Sequence, residues 1–569
     1  KTASGSTCSK GAALASQAYV QAPSTILRGD PDAALKTAPH TLTAEFSVGG
    51  QEHFYLEGQV AFALPGEDGD LVVHSSTQHP TEVQHVCAEI LGCDFNRVTT
   101  VVRRLGGGFG GKESNASWVA GAAPLGGRPL GRAAVPTPWA PTPRAIGEAA
   151  AFTASDYKAL VCIFLYGGND HGNTVIPVDS SNYAKYAAIR GGLALSQGSL
   201  ASTTLDPSSA LPNGLKLALA PQMTGLKQLF DNGRMAVQLN VGPLRVPTTL
   251  AQYQARSVPL PPKLFSHNDQ QSIWQSSQTE GATRGWGGRM GDLAMANNGS
   301  SVFTCISVSG NAVYLSGDSA LQYQVSPSGP VSMWPTKSGL YGSNACSAAL
   351  KSLITGSSTH VLENEYARVT SRSIAAEAQV GAALAGIPTS TTPYPADNPL
   401  AAQLQMVAKL ISARSALGTK RQVFMVSMGG FDLHDGLPNQ HPALLAKVSE
   451  AMTAFYANTV ELGIANSVTA FTASDFGRTL VSNGDGSDHG WGSHHFVVGG
   501  AVKGKQFYGT APSVSVNGPD DVGQGRLLPT TSVDQFAATM ARWFGVSDSE
   551  LSLVVPGIGN FSSRTMGFL

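Results

Sequence analysis

Hydrophobic residues follow two different periodicities along the chain. Up to about residue 118, apolar and polar positions alternate as in strands, for example in residues 52–64 (EHFYLEGQVAFAL) and 97–105 (RVTTVVRRL). One helical segment is predicted near residues 80–91. This pattern predicts a small α+β region.

The rest of the chain alternates short apolar runs with longer amphipathic stretches. Strands are predicted at residues 160–165, 235–239, 422–427 and 467–472, and helices at 401–416, 442–462 and 532–544. Strands separated by long helical crossovers imply a mainly parallel sheet covered on both faces. The predicted fold class is therefore α/β.

A proline-rich stretch separates the two regions. Residues 124–143 contain six prolines, three glycines and no acidic residue, which is typical of a linker. We therefore expect a fragment at residues 1–118, a linker at 119–150 and the main domain at 151–569.

Composition excludes some classes of function. The 37 Lys+Arg and 38 Asp+Glu residues give a net charge of -1, which excludes a dedicated nucleic-acid-binding protein. No run approaches the roughly 20 apolar residues that a membrane span needs.

The cysteines show no C-x-x-C spacing. Cys305 and Cys346 either form a disulfide with each other or are two unrelated thiols.

A glycine run at residues 106–111 (GGGFGG) satisfies the dinucleotide-binding pattern G-x-G-x-x-G, but its context does not. The preceding strand carries Arg103 and Arg104, and the glycine-rich linker follows in place of a helix. The run is therefore either a loop that approaches a ligand closely or a structural turn.

Three motifs in this region resemble the molybdenum-binding subunit of xanthine dehydrogenase: residues 49–57 (GGQEHFYLE), 75–81 (SSTQHPT) and 103–114 (RRLGGGFGGKES). The resemblance implies cofactor or substrate contacts for Gln51, Phe109, Gly110 and Glu113. It ends near residue 118, without the family's later cofactor loops and catalytic Glu. We therefore expect a fragment that holds no molybdenum cofactor.

Polar residues follow three predicted strands of the main domain at their carboxyl ends, where active sites of α/β sheets form. These segments are residues 166–174 (YGGNDHGNT), 428–434 (MGGFDLH) and 473–479 (ASDFGRT), and a fourth cluster lies at 485–495 (DGSDHGWGSHH). Mixed Asp and His ligands suit zinc, manganese or iron. The candidate metal ligands are Asp170, Asp432, His434, Asp475, Asp488 and His489; the alternative is that these residues cap turns.

A nucleophile is predicted beside this site. Ser266, followed by His267, lies where a helix is predicted to start, so free N–H groups would surround its hydroxyl. The alternatives are that Ser266 simply caps the helix or that Thr174 is the nucleophile. Arg478 could bind a tetrahedral anion or pair with a carboxylate. Ser266, His267 and Arg478 are thus the candidate catalytic residues.

The main domain resembles a bacterial family catalogued as domain of unknown function 1501. The motifs are residues 160–170 (LVCIFLYGGND), 265–267 (FSH), 429–434 (GGFDLH), 474–479 (SDFGRT) and 488–493 (DHGWGS). The resemblance implies the alkaline phosphatase and sulfatase superfamily, with a three-layer α/β/α sandwich that carries one or two metal ions. It also implies export to the periplasm or beyond, although no intact twin-arginine leader is present. Phe476 stands where the superfamily motif has a His.

The leading hypothesis is a metal-dependent hydrolase of phosphate or sulfate esters, on a small-molecule or polymer substrate. The alternatives are a secreted binding or assembly protein of the same fold and a molybdenum-dependent oxidoreductase of the xanthine dehydrogenase type. The sequence leaves the oligomeric state open.

The N-terminal region should contribute nothing to hydrolysis, because it lacks most of the domain that it resembles. Deleting residues 1–140 should therefore leave metal content and any ester hydrolysis unchanged in a direct comparison of the two purified proteins. Loss of activity with the fold retained would show instead that this region serves the main domain.

Overall fold

The computed structural model describes residues 59–65, 70–102, 105–108, 112, 115–122, 152–279 and 281–569. The chain divides into two compact units, Lys1–Gly147 and Glu148–Leu569. The four cofactor-motif positions predicted in the first unit lie outside the described residues; they are Gln51, Phe109, Gly110 and Glu113.

The first unit has the predicted mixture of strands and helices. Its elements are β1 Ala61–Pro65, β2 Leu71–Ser75, α1 Pro80–Leu91, β3 Val98–Val101 and α2 Asn115–Ala122. β2 pairs antiparallel with β1 and parallel with β3, so α1 forms the crossover. Pro80 opens α1, and Gly92 ends it in the left-handed conformation that glycine adopts at low cost. α2 extends past residue 119, where the linker was predicted to begin.

The second unit is built on a ten-stranded sheet. Its strands are β4 Lys158–Leu165, β7 Met235–Gly242, β8 Cys305–Ser307, β9 Gln322–Ser326, β10 Gly329–Pro330, β11 Arg421–Met428, β12 Val468–Ser474, β15 Ser493–Gly499, β16 Gln506–Tyr508 and β17 Thr531–Ser532. Two small antiparallel pairs accompany it: β5 Val175–Pro177 with β6 Leu217–Leu219, and β13 Arg478–Ser482 with β14 Ser487–His489.

Most strands of the large sheet are parallel. The strand order is β10-β9-β8-β11-β4-β12-β15-β7-β16, and β17 also pairs with β7. β10 runs antiparallel to β9, and β15 runs antiparallel to both of its neighbours. β8, β11, β4 and β12 run side by side in one direction, so their carboxyl ends share one edge.

Helices connect these strands. They are α3 Ser180–Arg190, α4 Thr224–Asp231, α5 Leu250–Ala255, α6 His267–Ser276, α7 Trp286–Ala294, α8 Asn344–Thr355, α9 Val361–Ala385, α10 Pro399–Ser412, α11 Leu437–Glu461, α12 Val533–Phe544 and α13 Leu551–Val554. The predicted helices correspond to α10, α11 and α12. α11 begins five residues before its predicted start at Pro442, so that proline lies within the helix.

Alternate residues of β4 belong to two separate cores. Ile163 packs in the core that contains residues of α4, α10 and α11, whereas Phe164 packs in the core that contains residues of α7 and α12. Because successive side chains of a strand point to opposite faces, helices cover both faces of the sheet. The predicted α/β class with a mainly parallel sheet is confirmed.

The two cysteines for which a disulfide was considered are both free. Cys305 is buried in β8, whereas Cys346 is exposed on α8. Among the described residues, we find no helix with the length and apolar character needed to cross a bilayer.

Replacing a buried residue of β4 should destabilise the second unit. Ile163 has no exposed surface, so Ile163→Ala leaves a cavity, and we expect a loss of about 2–5 kcal/mol in the free energy of unfolding. Leu553→Ala is the control, because that side chain is 49% exposed; it should cost under about 1 kcal/mol. Urea denaturation of both variants tests this, and equal losses would contradict the burial argument.

Candidate metal centre

Three loops meet at the carboxyl edge of β4, β11 and β12, as the alternation of strands and helices predicted. The Tyr166 N–H donates to the Met428 carbonyl at 2.9 Å, and the Phe431 N–H donates to the Tyr166 carbonyl at 3.2 Å. The Gly167 N–H donates to the Asp475 carboxylate at 3.2 Å. These bonds fix the three loops against one another.

The Asp432 carboxylate is the centre of this edge. The Nε2 atoms of His434 and His489 lie 3.1 and 3.2 Å from Asp432 Oδ1, and His267 Nε2 lies 3.4 Å from Asp432 Oδ2. His267, Asp432 and His489 each offer a ligand atom within 4.8 Å of the others. The Nε2 atoms of His434 and His489 are 2.9 Å apart.

The opposite nitrogen of each imidazole contacts an oxygen that only accepts hydrogen bonds. The pairs are His267 Nδ1 with Asp475 Oδ2 at 2.6 Å, His434 Nδ1 with Asp488 Oδ1 at 3.2 Å and His489 Nδ1 with the Phe265 carbonyl at 2.7 Å. With the hydrogen on Nδ1, each imidazole in its neutral form presents an Nε2 lone pair towards Asp432. Metal-binding histidines in proteins are held in this way.

This donor set fits a divalent cation. Two Nε2 lone pairs at 2.9 Å, next to a carboxylate, repel one another unless a proton or a cation lies among them. Imidazole nitrogens with one carboxylate suit zinc, manganese or iron. His267, His434, His489 and Asp432 are therefore the residues that could hold the ion.

The start of α6 brings His267 to the centre. Phe265, immediately before it, has a φ of +73°, a strained conformation for a residue with a side chain. Ser266 occupies the N-cap position, as predicted, but its side chain does not cap the helix. Its hydroxyl instead donates to the Asp269 carboxylate at 3.1 Å.

Asp475 orients His267 and lies behind it. Its side chain is fully buried and receives hydrogen bonds from His267 at 2.6 Å, Gln271 at 2.7 Å and the Gly167 amide at 3.2 Å. Asp488 has the corresponding position beside His434. Both carboxylates were predicted as metal ligands. In the structure, each instead contacts the Nδ1 atom of a histidine that is itself a candidate ligand.

Arg478 is buried and bonded within the protein. It donates to Asp432 Oδ1 at 2.5 Å, to the Gly167 carbonyl at 3.0 Å and to both the hydroxyl and the carbonyl of Ser487. This arrangement differs from the predicted role of Arg478 as a clamp on a substrate anion, because oxygen atoms of the protein accept the hydrogen bonds that its guanidinium donates. Of the two sequence-based alternatives, the structure matches the carboxylate partner.

Asp170 and Thr174 lie outside this group. The Asp170 carboxylate is buried, pairs with Arg190 and receives the Gly172 amide at 3.0 Å. The Thr174 hydroxyl has no exposed surface and donates to the Asp170 carbonyl at 2.7 Å. The Asp170 carboxylate, which was predicted as a metal ligand, thus forms a buried ion pair instead. Thr174 is poorly placed to attack a substrate because it is buried.

The pKa values of neighbouring candidate ligands are shifted in different directions. The hydrogen bond that His267 donates to Asp475, with the charges of Asp475 and Asp432, raises the pKa of His267 despite its partial burial. Burial, with the nearby His267 and Arg478, lowers the pKa of His489. Burial would raise the pKa of Asp432, but its bond with Arg478 and the neighbouring imidazoles outweigh this and hold it below its usual value. Asp432 is thus held as an anion that attracts a cation.

Sequence reasoning missed two members of the site. Gln271 lies four residues after His267 on the same face of α6, a spacing that could have indicated a shared partner. Phe476 was noted only as a replacement for a His in a motif. No local signal pairs His267 with Asp475, which is 208 residues away.

The fold and this ligand group define a mixed α/β protein with a candidate metal centre at the carboxyl edge of its sheet. A family model described as protein of unknown function (DUF1501) matches residues 157–557, well over half of the chain. The chain therefore belongs to the DUF1501 family, as the motifs predicted.

The N-terminal region matches a different family. A model described as a molybdopterin cofactor-binding domain covers residues 16–135. Xanthine dehydrogenase of Emericella nidulans is 44% identical over 110 residues, 19% of this chain and 8% of that protein. The same enzyme of Dictyostelium discoideum is 42% identical over 102 residues, 18% of this chain and 8% of that protein. The chain thus spans under a tenth of the length of these relatives.

The match nevertheless relates the N-terminal region to molybdenum cofactor binding. This finding counts against our expectation that the region holds no molybdenum cofactor.

The metal centre predicts a specific response to mutation. Asp432→Ala or His434→Ala should lower zinc, manganese or iron occupancy with the fold retained, because both side chains lie in the partly exposed loop after β11. Asp435→Ala, in the same loop and exposed, is the matched control and should keep its metal. If Asp432 merely caps a turn, its loss would instead cost about 1 kcal/mol of stability and no metal.

Elemental analysis of the three variants, beside thermal melts, separates these cases. Occupancy that is unchanged in both Asp432→Ala and His434→Ala would contradict the proposed centre.

Proposed function

We propose that the second unit is a metal-dependent hydrolase of phosphate or sulfate esters, with a fold of the alkaline phosphatase type. The observation that carries this proposal is the convergence on Asp432 of three Nε2 atoms, each from an imidazole that is hydrogen-bonded through its Nδ1 atom. A periplasmic or secreted location is part of the same proposal and rests on the family resemblance.

A divalent ion held by His267, His434, His489 and Asp432 would supply Lewis-acid polarisation of an ester oxygen. The N-terminus of α6 lies next to these ligands, because His267 is its first residue. The positive end of the helix dipole there favours an anionic group, which supports a phosphate or sulfate ester as the substrate class.

Ser266 is the proposed nucleophile. Its hydroxyl donates to Asp269 Oδ2 at 3.1 Å, and the Asp269 side chain is only 4% exposed. Asp269 is therefore placed to accept the proton as Ser266 Oγ attacks the phosphorus or sulfur atom and the bond from that atom to the alcohol oxygen of the substrate breaks. The alcohol leaves, and water then hydrolyses the serine ester and releases phosphate or sulfate. Ser266 is partly accessible, whereas the alternative nucleophile Thr174 is fully buried.

Arg478 supports the reaction indirectly. Its bond to Asp432 and its bonds to the Gly167 and Ser487 carbonyls hold three loops in register. Anion binding is therefore assigned to the metal ion and to the positive end of the α6 dipole, and Arg478 orients the carboxylate of Asp432.

Aryl phosphates and aryl sulfates, offered to the metal-loaded full-length protein, test the proposal. Ser266→Ala should lower kcat/KM by about 10³-fold or more, because the covalent route is lost. Ser272→Ala is the matched control on the same helix; its hydroxyl donates to the Thr279 carbonyl at 2.8 Å, and its loss should leave turnover unchanged.

Absence of both metal binding and turnover on either ester class would overturn the enzyme proposal and favour a binding or assembly protein. Full activity of Ser266→Ala would overturn the choice of nucleophile alone.

A further inference from the structure

Phe476 packs against two of the candidate metal ligands. Its ring centroid lies 4.9 Å from that of His267 and 4.6 Å from that of His489, and the two imidazole centroids are 4.3 Å apart. Phe476 has no exposed surface. The three rings therefore form one contact group on the protein side of the centre.

Gly168 also lies against the Phe476 ring. A Cβ atom built on Gly168 would lie 2.5 Å from the ring carbons Cδ2 and Cε2, so any side chain there would collide with the ring. Gly168 also has a φ of +83°, which favours glycine. The Gly168 backbone and two imidazoles thus all pack against the Phe476 ring.

The hydrogen bonds at Nδ1 do not by themselves fix the two imidazoles. A single bond from His267 to Asp475, or from His489 to Phe265, still allows each ring to rotate about the line that joins donor and acceptor. Such rotation would move the Nε2 atom away from Asp432. A second contact on each ring restricts this rotation, and Phe476 provides that contact to both rings, which it meets at interplanar angles of 40° and 33°.

We propose that Phe476 is a positioning residue that sets the orientation of His267 and His489 and thereby the affinity and geometry of metal binding. This inference rests on the proposed metal centre. Its basis is the shared contact of one buried ring with two imidazoles and with Gly168. Removing outer contacts of metal-binding histidines typically costs about 10–100-fold in metal affinity.

Phe476→Leu in the full-length protein tests this role, because leucine keeps an apolar side chain but loses the flat ring face. The matched control is Phe471→Leu. Phe471 is also fully buried and packs on aromatic rings, at 5.6 Å from Trp286 and 5.7 Å from Phe536, but it contacts none of the four ligands in the described structure.

Cobalt(II) is the probe, since its visible absorption reports ligand geometry and its titration gives a Kd. Phe476→Leu should weaken cobalt binding by about tenfold or more and alter the visible bands, whereas Phe471→Leu should match the unmodified protein on both counts. Thermal melts of the two variants show how much stability each has lost.

Two results would contradict the inference, and they are distinguishable. If the unmodified protein binds cobalt and Phe476→Leu binds it with the same Kd and spectrum, the positioning role is wrong and the metal centre stands. If the unmodified protein binds no cobalt, both the centre and the positioning role are wrong. An equal loss of affinity in both variants would assign the effect to general core packing and would also overturn the inference.

Discussion

The site depends on how three imidazoles are held around one carboxylate. Each ring donates its Nδ1 hydrogen to a fixed oxygen, so each Nε2 lone pair faces Asp432. This arrangement concentrates lone pairs and negative charge at one point, which is unfavourable without a cation. These oxygens belong to Asp475, Asp488 and the Phe265 carbonyl. The orientation of each ring therefore depends on a residue that is far away in sequence.

The parallel sheet makes this arrangement possible. β4, β11 and β12 lie side by side, and the loops that follow them contribute Gly167, Asp432 and Asp475. Arg478 then joins these loops through bonds to the Gly167 carbonyl and Asp432. Burial of this guanidinium is compensated by several acceptors, as a buried charge requires. The same side chain therefore stabilises the edge of the fold and holds the pKa of Asp432, the candidate ligand, below its usual value.

Much of this fold was predictable from the sequence. Apolar runs and amphipathic stretches predict the main strands and helices. Asp432, His434 and His489 were predicted as site residues because they are ligand-type residues near strand ends. The specific role of each residue was not predictable. Asp170 follows a Gly-Gly pair after β4 just as Asp432 follows one after β11, yet Asp170 pairs with the buried Arg190. The direction of a side chain after a strand depends on contacts with residues far away in sequence, and local patterns do not encode them.

X-ray absorption spectroscopy of the zinc-loaded, full-length protein tests the central claim most directly, because it counts the imidazoles bound to the ion. The arrangement around Asp432 predicts one class of zinc site with three imidazole nitrogens and one carboxylate oxygen. A spectrum with no imidazole scattering, or a protein that takes up no stoichiometric zinc, would contradict it.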